Sequence, residues 1–223
     1  MERRRFVVVG LGSFGHYLAR ALYERRQDVL AIDRRREAVE AAEPHASRAQ
    51  VADAADLDSL RAAGAGEADV AVVGIGSHLD ASILAALHLK ELGVPEILAK
   101  AVSPDHARIL RRIGATGVVH PEGEMALRLA RHMAEPDVVE RFPFFEGYAL
   151  VEIRAPRVLW GKTLGEAHLR RDHALSVVLV KRREGGREVA LQAHGETEVR
   201  QGDILVVLAR AEDVDDFRRR TAG

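Results

Sequence analysis

The feature that most constrains this chain is an alternation of strand-length apolar runs with helical patterns through about residue 134. It begins with the apolar run FVVVG and the helical pattern SFGHYLARALYERR, and five further strand-helix units follow. Parallel strands need a long crossover between them, and that crossover is usually a helix. The pattern therefore predicts an α/β fold with a Rossmann-like parallel sheet of six strands and helices on both faces.

After Pro136 the pattern changes to strands separated by short turns. The apolar runs in this part are YALVEIRAP, ALSVVLVKRREGGREVALQ and GDILVVLA. Gly185 and Gly186 divide the second run at a hairpin turn. The last segment, EDVDDFRRRTAG, favours a short helix with Val214 and Phe217 on one face. We therefore expect a small α+β C-terminal lobe, with a boundary between about residues 135 and 145.

The composition excludes several classes of protein. A net charge of -1 lacks the positive excess that attracts nucleic-acid phosphates, so we expect no nucleic-acid partner. The sequence has no cysteine, which excludes disulfides and thiolate zinc sites and favours the reducing cytoplasm. The longest apolar runs are far shorter than a membrane-spanning helix.

A glycine-rich turn joins the first strand to the first helix. In Gly10-x-Gly12-x-x-Gly15, the first glycine permits a tight turn, the second lets the backbone approach a phosphate, and the third lets helix and strand pack closely. The helix N-terminus supplies N–H donors to an anion. Asp33 ends the second strand 18 residues after Gly15, where its carboxylate can accept both ribose hydroxyls. The motif indicates a site for an adenine nucleotide.

Asp33 and the three arginines after it leave an alternative open. The glycines can simply form a strand-helix turn while Asp33 caps a helix that starts at Arg34. An arginine among residues 34–36 would suit a ribose 2′-phosphate, but Asp33 would repel that phosphate. We therefore expect an unphosphorylated ribose.

The segment after the third strand has two interpretations. Asp53 can accept a hydrogen bond from the adenine amino group while Ala54 leaves space for the ring. Alternatively, Asp53 or Asp56 caps the next helix.

The fourth strand ends in a second glycine pair, Gly74 and Gly76, at the edge of the sheet where ligands bind. His78 and Asp80 follow it, and they are candidates either for proton transfer or for capping the next helix.

Together these segments resemble a known family. The motifs that carry the resemblance are GLGSFG, AID, ADAAD, VVGIGSHLDAS, ILAKA and VVHPEGEMA. In this order and spacing they resemble the RCK domain (regulator of conductance of potassium) of the cytosolic Trk and Ktr potassium-uptake regulators. The later segments LWGKTLGEAHLRRDHALSVVLVKRREG and VRQGDILVVLAR are similar to the C-terminal lobe of those regulators. The resemblance implies an RCK N-terminal nucleotide-binding domain at 1–135, ending in a crossover helix, and an RCK C-terminal lobe at 141–223.

The resemblance also implies a ligand. An adenine nucleotide, ATP or ADP with NAD(H) as the alternative, is expected to contact Gly10, Gly12, Ser13, Phe14, Gly15, Asp33, Arg34, Asp53, Ala54, Gly76 and Lys100. Glu122 is implied as a ligand for magnesium or calcium, and the alternative is a helix-start glutamate favoured by the helix dipole. Ktr-type members commonly carry arginine where this chain has Ser13, so preference for ATP over ADP stays open.

The partners follow from the same resemblance. It implies a regulatory, non-catalytic subunit that sets the gate of a membrane potassium-channel subunit, at the inner face of the cell membrane. Two RCK domains are expected to form a dimer through the crossover helix, and dimers to form an octameric ring. The apolar positions of the crossover helix that are candidates for the dimer contact are Met125, Leu127, Leu129 and Met133.

Two other functions share the glycine turn. One is a small nicotinamide-dependent oxidoreductase, although Lys162, His168, His173 and His194 form no convincing catalytic set in the predicted turns. The other is a nucleotide-sensing module of a different transporter. Binding of a cyclic dinucleotide by the C-terminal lobe, near Arg170, is left open.

Overall fold

The computed structural model describes residues 3–221. The chain divides into two compact units, and the division falls between Met125 and Ala126, inside a helix. The domain borders expected at 135 and 141 stay predictions. Of the helices formed by residues 3–221, none combines the length and apolar character that a bilayer crossing requires.

The first unit contains a six-stranded sheet. Its strands are β1 (Arg5–Val9), β2 (Asp28–Asp33), β3 (Arg48–Val51), β4 (Val70–Val73), β5 (Glu96–Lys100) and β6 (Gly117–Val119). Their order across the sheet is β3-β2-β1-β4-β5-β6, and every neighbouring pair is parallel. The order reverses at β1, so the crevice between β1 and β4 is the place where sheets of this kind bind ligands. The predicted parallel sheet is confirmed.

Helices connect these strands. They are α1 (Ser13–Glu24), α2 (Arg36–Ala42), α3 (Leu57–Ala62), α4 (Leu79–Glu91) and α5 (Pro104–Ile113), and α6 (Pro121–Ala134) follows β6. Local chemistry explains their ends: α5 begins where the Ser103 hydroxyl accepts a hydrogen bond from the His106 amide, and it ends at Gly114, which has φ +114°.

The core of this unit lies on both faces of the sheet. In β1, Val7 and Val9 pack into the cluster that also contains Leu60 from α3, whereas Val8 packs into the cluster with Ala19 from α1. All three valines are fully buried. A strand covered on both faces reads as a continuous apolar run, which is why FVVV shows no alternation.

The second unit is built on an antiparallel sheet. Its strands are β7 (Val138–Phe145), β8 (Tyr148–Arg154), β9 (Ser176–Glu184), β10 (Arg187–Gln192) and β11 (Ile204–Arg210), in the order β10-β9-β11-β8-β7. Its helices are α7 (Leu164–Ala167), α8 (Leu169–His173) and α9 (Ala211–Thr221). The predicted α+β lobe is confirmed.

Two local predictions in this unit are confirmed. The β9–β10 hairpin turns at Gly185 and Gly186, which have φ of +58° and +82°. Positive φ at both central residues is what a tight type I′ turn requires. In α9, Val214 and Phe217 are buried against the sheet. The final residues 222–223 of the predicted helix lie outside the described part of the chain.

One strand was not predicted. Residues 138–145 form β7, which pairs antiparallel with β8 and lies at the edge of the sheet. Pro143 obscured it, because a proline has no N–H group to donate to a neighbouring strand. At an edge one side of the strand needs no partner, so the proline is tolerated there. The second sheet therefore begins at Val138.

Candidate functional site

The turn between β1 and α1 uses its glycines in different ways. Gly10 has φ +87°, and a Cβ at this position would lie 2.6 Å from Cγ1 of Ile75. At Gly15 a Cβ would lie 1.9 Å from the carbonyl oxygen of Gly10. At Gly12 a Cβ would meet nothing within 4 Å. Two glycines therefore make the turn possible, and the third leaves open space beside the helix.

The N-terminus of α1 is an open hydrogen-bonding end. Gly12 is its N-cap residue, and no side chain accepts from the first-turn amides there. These amides have no acceptor inside the helix, because the first four N–H groups of any α-helix lack one. No acidic residue occupies the first turn. The end therefore presents free donors and a positive dipole end to whatever lies next to Gly12, Ser13 and Phe14.

Asp33 links the end of β2 to the glycine turn. Its Oδ2 accepts a hydrogen bond from the Leu11 amide at 2.7 Å, and its Oδ1 accepts one from the Arg35 amide at 2.9 Å. The residue is 8% exposed. Arg35 is itself the N-cap residue of α2, so Asp33 stabilises the turn before that helix without capping its first-turn amides. A carboxylate has about four lone-pair positions, so it retains capacity for ribose hydroxyls.

The segment after β3 contains two separate aspartate turns. The Asp53 carboxylate accepts a hydrogen bond from the Ala55 amide at 2.9 Å. Asp56 is the N-cap of α3 and accepts from the Asp58 amide at 3.0 Å. The helix cap therefore belongs to Asp56, and Asp53 lies at the crevice with Ala54.

A hydrogen bond joins two side chains that line the crevice. Nη2 of Arg34, after β2, lies 2.9 Å from Nε2 of His78, which precedes α4. The His78 side chain makes no cap hydrogen bond to α4, and Asp80 does not line the crevice. Because arginine can only donate, Nε2 of His78 is the acceptor in this bond.

Lys100 and Glu122 form an ion pair at the far wall. The Lys100 side chain is 12% exposed and the Glu122 side chain is 63% exposed. The hydrogen bond from Lys100 lowers the pKa of Glu122 below its ordinary value, so the carboxylate is ionised at neutral pH. The ammonium group also lies 6.0 Å from the centre of the Phe14 ring. Lys100 is thus paired with an acid, and its ammonium group, which has three donors, retains capacity for a second anion.

These side chains surround one crevice of about 630 Å³ at the carboxyl ends of the strands. Of the residues predicted from the sequence, those that line it are Gly10, Gly12, Ser13, Phe14, Asp33, Arg34, Asp53, Ala54, Gly76, Lys100 and Glu122. Gly15 does not line it and packs against the turn instead. Lining residues outside the predicted set include Arg35, Ile75, Ser77, His78 and Val102. Each of these lies within two residues of a predicted lining residue, so closeness in sequence to the predicted residues could have identified them.

A metal centre made by the protein alone is not found. Within residues 3–221, no group of three or more His, Cys, Asp or Glu side chains is arranged to hold a metal ion. Glu122 is a single carboxylate paired with Lys100. The metal role of Glu122 stays a prediction.

Comparisons with known proteins identify the family. Residues 6–121 match the TrkA-N domain and residues 148–222 match the TrkA-C domain. The chain belongs to the TrkA-N/TrkA-C family. It is 36% identical over 218 residues to Ktr system potassium uptake protein C of Bacillus subtilis, covering 98% of this chain and 97% of that protein. Ktr system potassium uptake protein A of Vibrio alginolyticus is 33% identical, with 92% of each chain covered.

Solved structures show the same fold. The GsuK channel superposes with a TM-score of 0.66 at 18% identity, covering 99% of this chain. The present chain spans 40% of the GsuK chain. Another structure, the GsuK channel bound to NAD, superposes with a TM-score of 0.62 at 17% identity and covers 100% of this chain. These structures show the fold, whereas the family models and the curated relatives confirm the resemblance to the Trk and Ktr regulators.

Proposed function

We propose that this protein is the nucleotide-binding regulatory subunit of a Ktr-type potassium uptake system, acting at the inner face of the membrane. One observation carries the proposal: the crevice joins the uncapped N-terminus of α1 to the Asp33 carboxylate. Free amides favour phosphate, and the carboxylate favours ribose hydroxyls. Membership of the TrkA-N/TrkA-C family and the potassium-uptake relatives support the role in transport.

We assign each part of the nucleotide to the residues whose chemistry suits it. The phosphates lie against the first turn of α1 at Gly12 and Ser13, and the ribose lies at Asp33. The adenine lies over Ala54, with the amino group donating to Asp53. Lys100 faces the outer phosphates. Structures of the GsuK channel bound to NAD and of GsuK bound to ADP share this fold, which supports a nucleotide as the ligand.

Glu122 and an outer phosphate of the nucleotide can both pair with Lys100, so the state of the Lys100–Glu122 pair depends on which ligand is bound. A nucleotide with an outer phosphate near Lys100 offers the ammonium group a second anionic partner besides Glu122. Glu122 lies in the first turn of α6, so the two states of the pair differ at the start of that helix. A ligand shifts a conformational equilibrium by as much as its affinities for the two states differ. We propose that this difference is transmitted through α6.

The exposed apolar side chains of α6 support a dimer. Met125, Leu129 and Met133 follow one another at intervals of four residues and are 58%, 53% and 74% exposed. Residues four apart share a helix face, so these three form one stripe. Leu127, which was also predicted for this contact, is 61% exposed but lies on the other side of the helix and is not part of the stripe. We propose that the stripe packs against the same helix of a second copy, and that dimers assemble into the ring implied by the family.

A pair of variants at Gly12 tests the nucleotide site. Gly12→Asp adds a carboxylate in open space at an N-cap position that aspartate favours, so the fold is expected to persist. The added charge repels phosphate, and like charges in contact cost several kcal/mol, so affinity should fall by about a hundredfold or more. Gly12→Asn has the same size without the charge. Calorimetry of the full chain with ATP, ADP and NAD measures each affinity.

The control for this pair is Gly195→Asp, which adds the same side chain in open space within the C-terminal unit. We expect it to bind nucleotide as the unsubstituted protein does, and Gly12→Asn to bind at least about tenfold more tightly than Gly12→Asp. Equal affinities for all three nucleotides in Gly12→Asp and the Gly195→Asp control would contradict the site. A potassium-uptake assay with the membrane subunit then tests regulation separately.

The oxidoreductase alternative has weak support in the structure. Of Lys162, His168, His173 and His194, His173 is engaged within its own unit, because its ring packs against the buried Phe217 with the ring centres 4.9 Å apart. The family models and the potassium-uptake relatives also point to a transport role. We propose a non-catalytic role on this basis. Oxidation of NADH by the purified protein with any of a panel of small carbonyl compounds would contradict it.

A further inference from the structure

A second cavity, of about 310 Å³, lies inside the C-terminal unit between the end of β8 and α9. We call it the C-lobe cavity. The lining residues that define its chemistry are Asp137, Arg154, Arg157, Trp160, Phe217 and Arg218. None of them belongs to the nucleotide crevice. Its volume is at the lower end of the range for sites that bind small organic molecules.

The cavity is rich in positive charge. It is lined by three arginines and by one carboxylate, that of Asp137. Among residues 3–221, no carboxylate oxygen lies within 4.0 Å of a guanidinium nitrogen of Arg154 or Arg157. The Arg154 Nε donates a long hydrogen bond of 3.4 Å to the Pro136 carbonyl. Arg154 and Arg157 are exposed residues, and neither guanidinium group is paired with an acid of the described chain, so both are available to an anion from solution.

The third arginine is surrounded by acids but is not tightly bonded to them. Nitrogens of Arg218 lie 3.4 Å from Glu135, 3.8 Å from Asp137 and 3.8 Å from Asp215. Charge-assisted hydrogen bonds are shorter, about 2.7 to 2.9 Å. Its Nε is buried and has no hydrogen-bond partner within the described residues. Arg218 is thus balanced in charge, and the excess belongs to Arg154 and Arg157.

One wall of the cavity is a flat aromatic surface held in place. The indole Nε1 of Trp160 donates to the Ala155 carbonyl at 2.9 Å, which fixes the ring. The Arg157 guanidinium lies 5.6 Å from the centre of that ring. Phe217, which is 2% exposed, closes the cavity from α9. Because Arg157 lies over one face of the indole, a planar group that entered here would pack on the part of the ring that Arg157 leaves uncovered, with the guanidinium group beside it.

We propose that the C-lobe cavity binds a small organic anion in which a planar ring carries a phosphate group, of about the size of a nucleoside monophosphate. The ring packs on Trp160. The phosphate lies between Arg154 and Arg157, because guanidinium forks match phosphate oxygens two at a time. The bound anion offsets the two positive charges that the chain leaves without an acid. This site is independent of the nucleotide crevice.

The sequence provides its own probe, since Trp160 is its single tryptophan. The full-length Gly12→Asp protein, whose crevice disfavours phosphate, is titrated with phenyl phosphate and with 5′-AMP while Trp160 fluorescence is followed. We expect a saturable change in emission with both. Inorganic phosphate lacks the ring and phenol lacks the charge, so each alone should bind at least about tenfold more weakly. Benzoate tests whether a carboxylate replaces the phosphate, and we expect weaker binding.

Substitutions of the arginines assign the response to the cavity. Arg154→Gln combined with Arg157→Gln should weaken phenyl phosphate binding about tenfold or more, because charge-assisted hydrogen bonds are lost. The matched control is Arg183→Gln combined with Arg187→Gln, two exposed arginines of the β9–β10 hairpin. If the double variant does not fold, Arg154→Gln alone replaces it in the titration, because this single substitution preserves the contact between Arg157 and Trp160.

Three results would overturn the proposal. One is a fluorescence signal that does not saturate with phenyl phosphate or 5′-AMP. Another is equal affinity in the Arg154→Gln variants and the hairpin control. Benzoate binding as tightly as phenyl phosphate would overturn the assignment to phosphate.

Discussion

At the scale of single residues, the shape of the crevice depends on glycines without side chains, and its charge depends on which residues carry none. Gly10 and Gly15 have no room for a side chain, whereas Gly12 has open space that a ligand can occupy. Ser13 brings no charge to the crevice, and the Lys100 charge is shared with Glu122. On the proposed function, we therefore expect discrimination between nucleotides to depend on the Lys100–Glu122 pair, with Arg34 and Arg35 as the other cations that line the crevice.

Glu122→Gln is predicted to change nucleotide preference. Removing the carboxylate frees Lys100 for an outer phosphate, and a charge-assisted contact is worth about 1.5 to 3 kcal/mol. In metal-free buffer we expect ATP and ADP to differ by less than about tenfold in the unsubstituted protein. In Glu122→Gln the ATP affinity should rise about tenfold, and the ADP affinity should rise less. Calorimetry with both nucleotides measures the four constants.

The control for this prediction is Glu124→Gln, on the same helix, whose carboxylate accepts from the His120 amide. It removes the same charge without releasing Lys100. A strong preference for ATP in the unsubstituted protein without metal would contradict the prediction, as would equal effects of the two substitutions.

At the scale of elements, one buried ion pair organises the C-terminal sheet. Asp203, which is 1% exposed, accepts from Nε and Nη2 of Arg182 in β9 at 2.9 and 2.7 Å. The same carboxylate accepts from the Arg200 amide at 2.8 Å, and Arg182 also donates to the Glu198 carbonyl. The pair thereby holds the turn before β11 against β9. The strength of the contact comes from bidentate geometry in a site with little water.

Asp203→Asn is predicted to destabilise the C-terminal unit by about 3 to 5 kcal/mol, because it leaves the Arg182 charge buried without a partner. Urea unfolding followed by Trp160 fluorescence reports on this unit, in which the single tryptophan lies. Glu198→Gln, which breaks the exposed pair with Arg200, should cost about 1 kcal/mol or less. Similar unfolding midpoints for the two variants would show that the buried pair contributes little.

At the scale of the whole molecule, α6 is the helix whose apolar side chains are left exposed to water. Among the helices that follow the strands of the parallel sheet, α5 buries Leu110 and α4 buries Leu89, but no residue of α6 is buried. A stripe of exposed methionine and leucine is costly in water and is typical of an interaction surface. The exposed stripe is the observation from which we propose the dimer, and the ring of dimers is part of the same proposal.

Leu129→Glu is predicted to shift the protein toward the monomer, because it places a charge in the middle of the proposed apolar contact. Light scattering at micromolar concentration measures the mass, with and without nucleotide. Arg131→Glu changes the charge on the opposite side of the same helix and should leave the mass unchanged. A monomeric mass for the unsubstituted protein under both conditions would contradict the proposed dimer.

Much of the fold and part of the site follow from local sequence patterns. The alternation of apolar runs and helical patterns predicts the parallel sheet, because each parallel crossover needs a helix of its own. Gly185 and Gly186 predict the hairpin because a tight turn needs positive φ at both positions. Gly12 and Asp33 could be predicted as crevice residues because the carboxyl ends of neighbouring parallel strands meet at one edge.

The tertiary structure decided what depends on residues far apart in the chain. The edge strand β7 was missed because Pro143 is acceptable only where one side of a strand is free, and that is known once the strand order is known. The pairing of Lys100 with Glu122 across 22 residues, and the meeting of Arg154 and Trp160 with Arg218 in one cavity, follow from packing and have no local pattern. Sequence periodicity reports which face of an element is buried, and contacts between distant elements are set by how those faces pack.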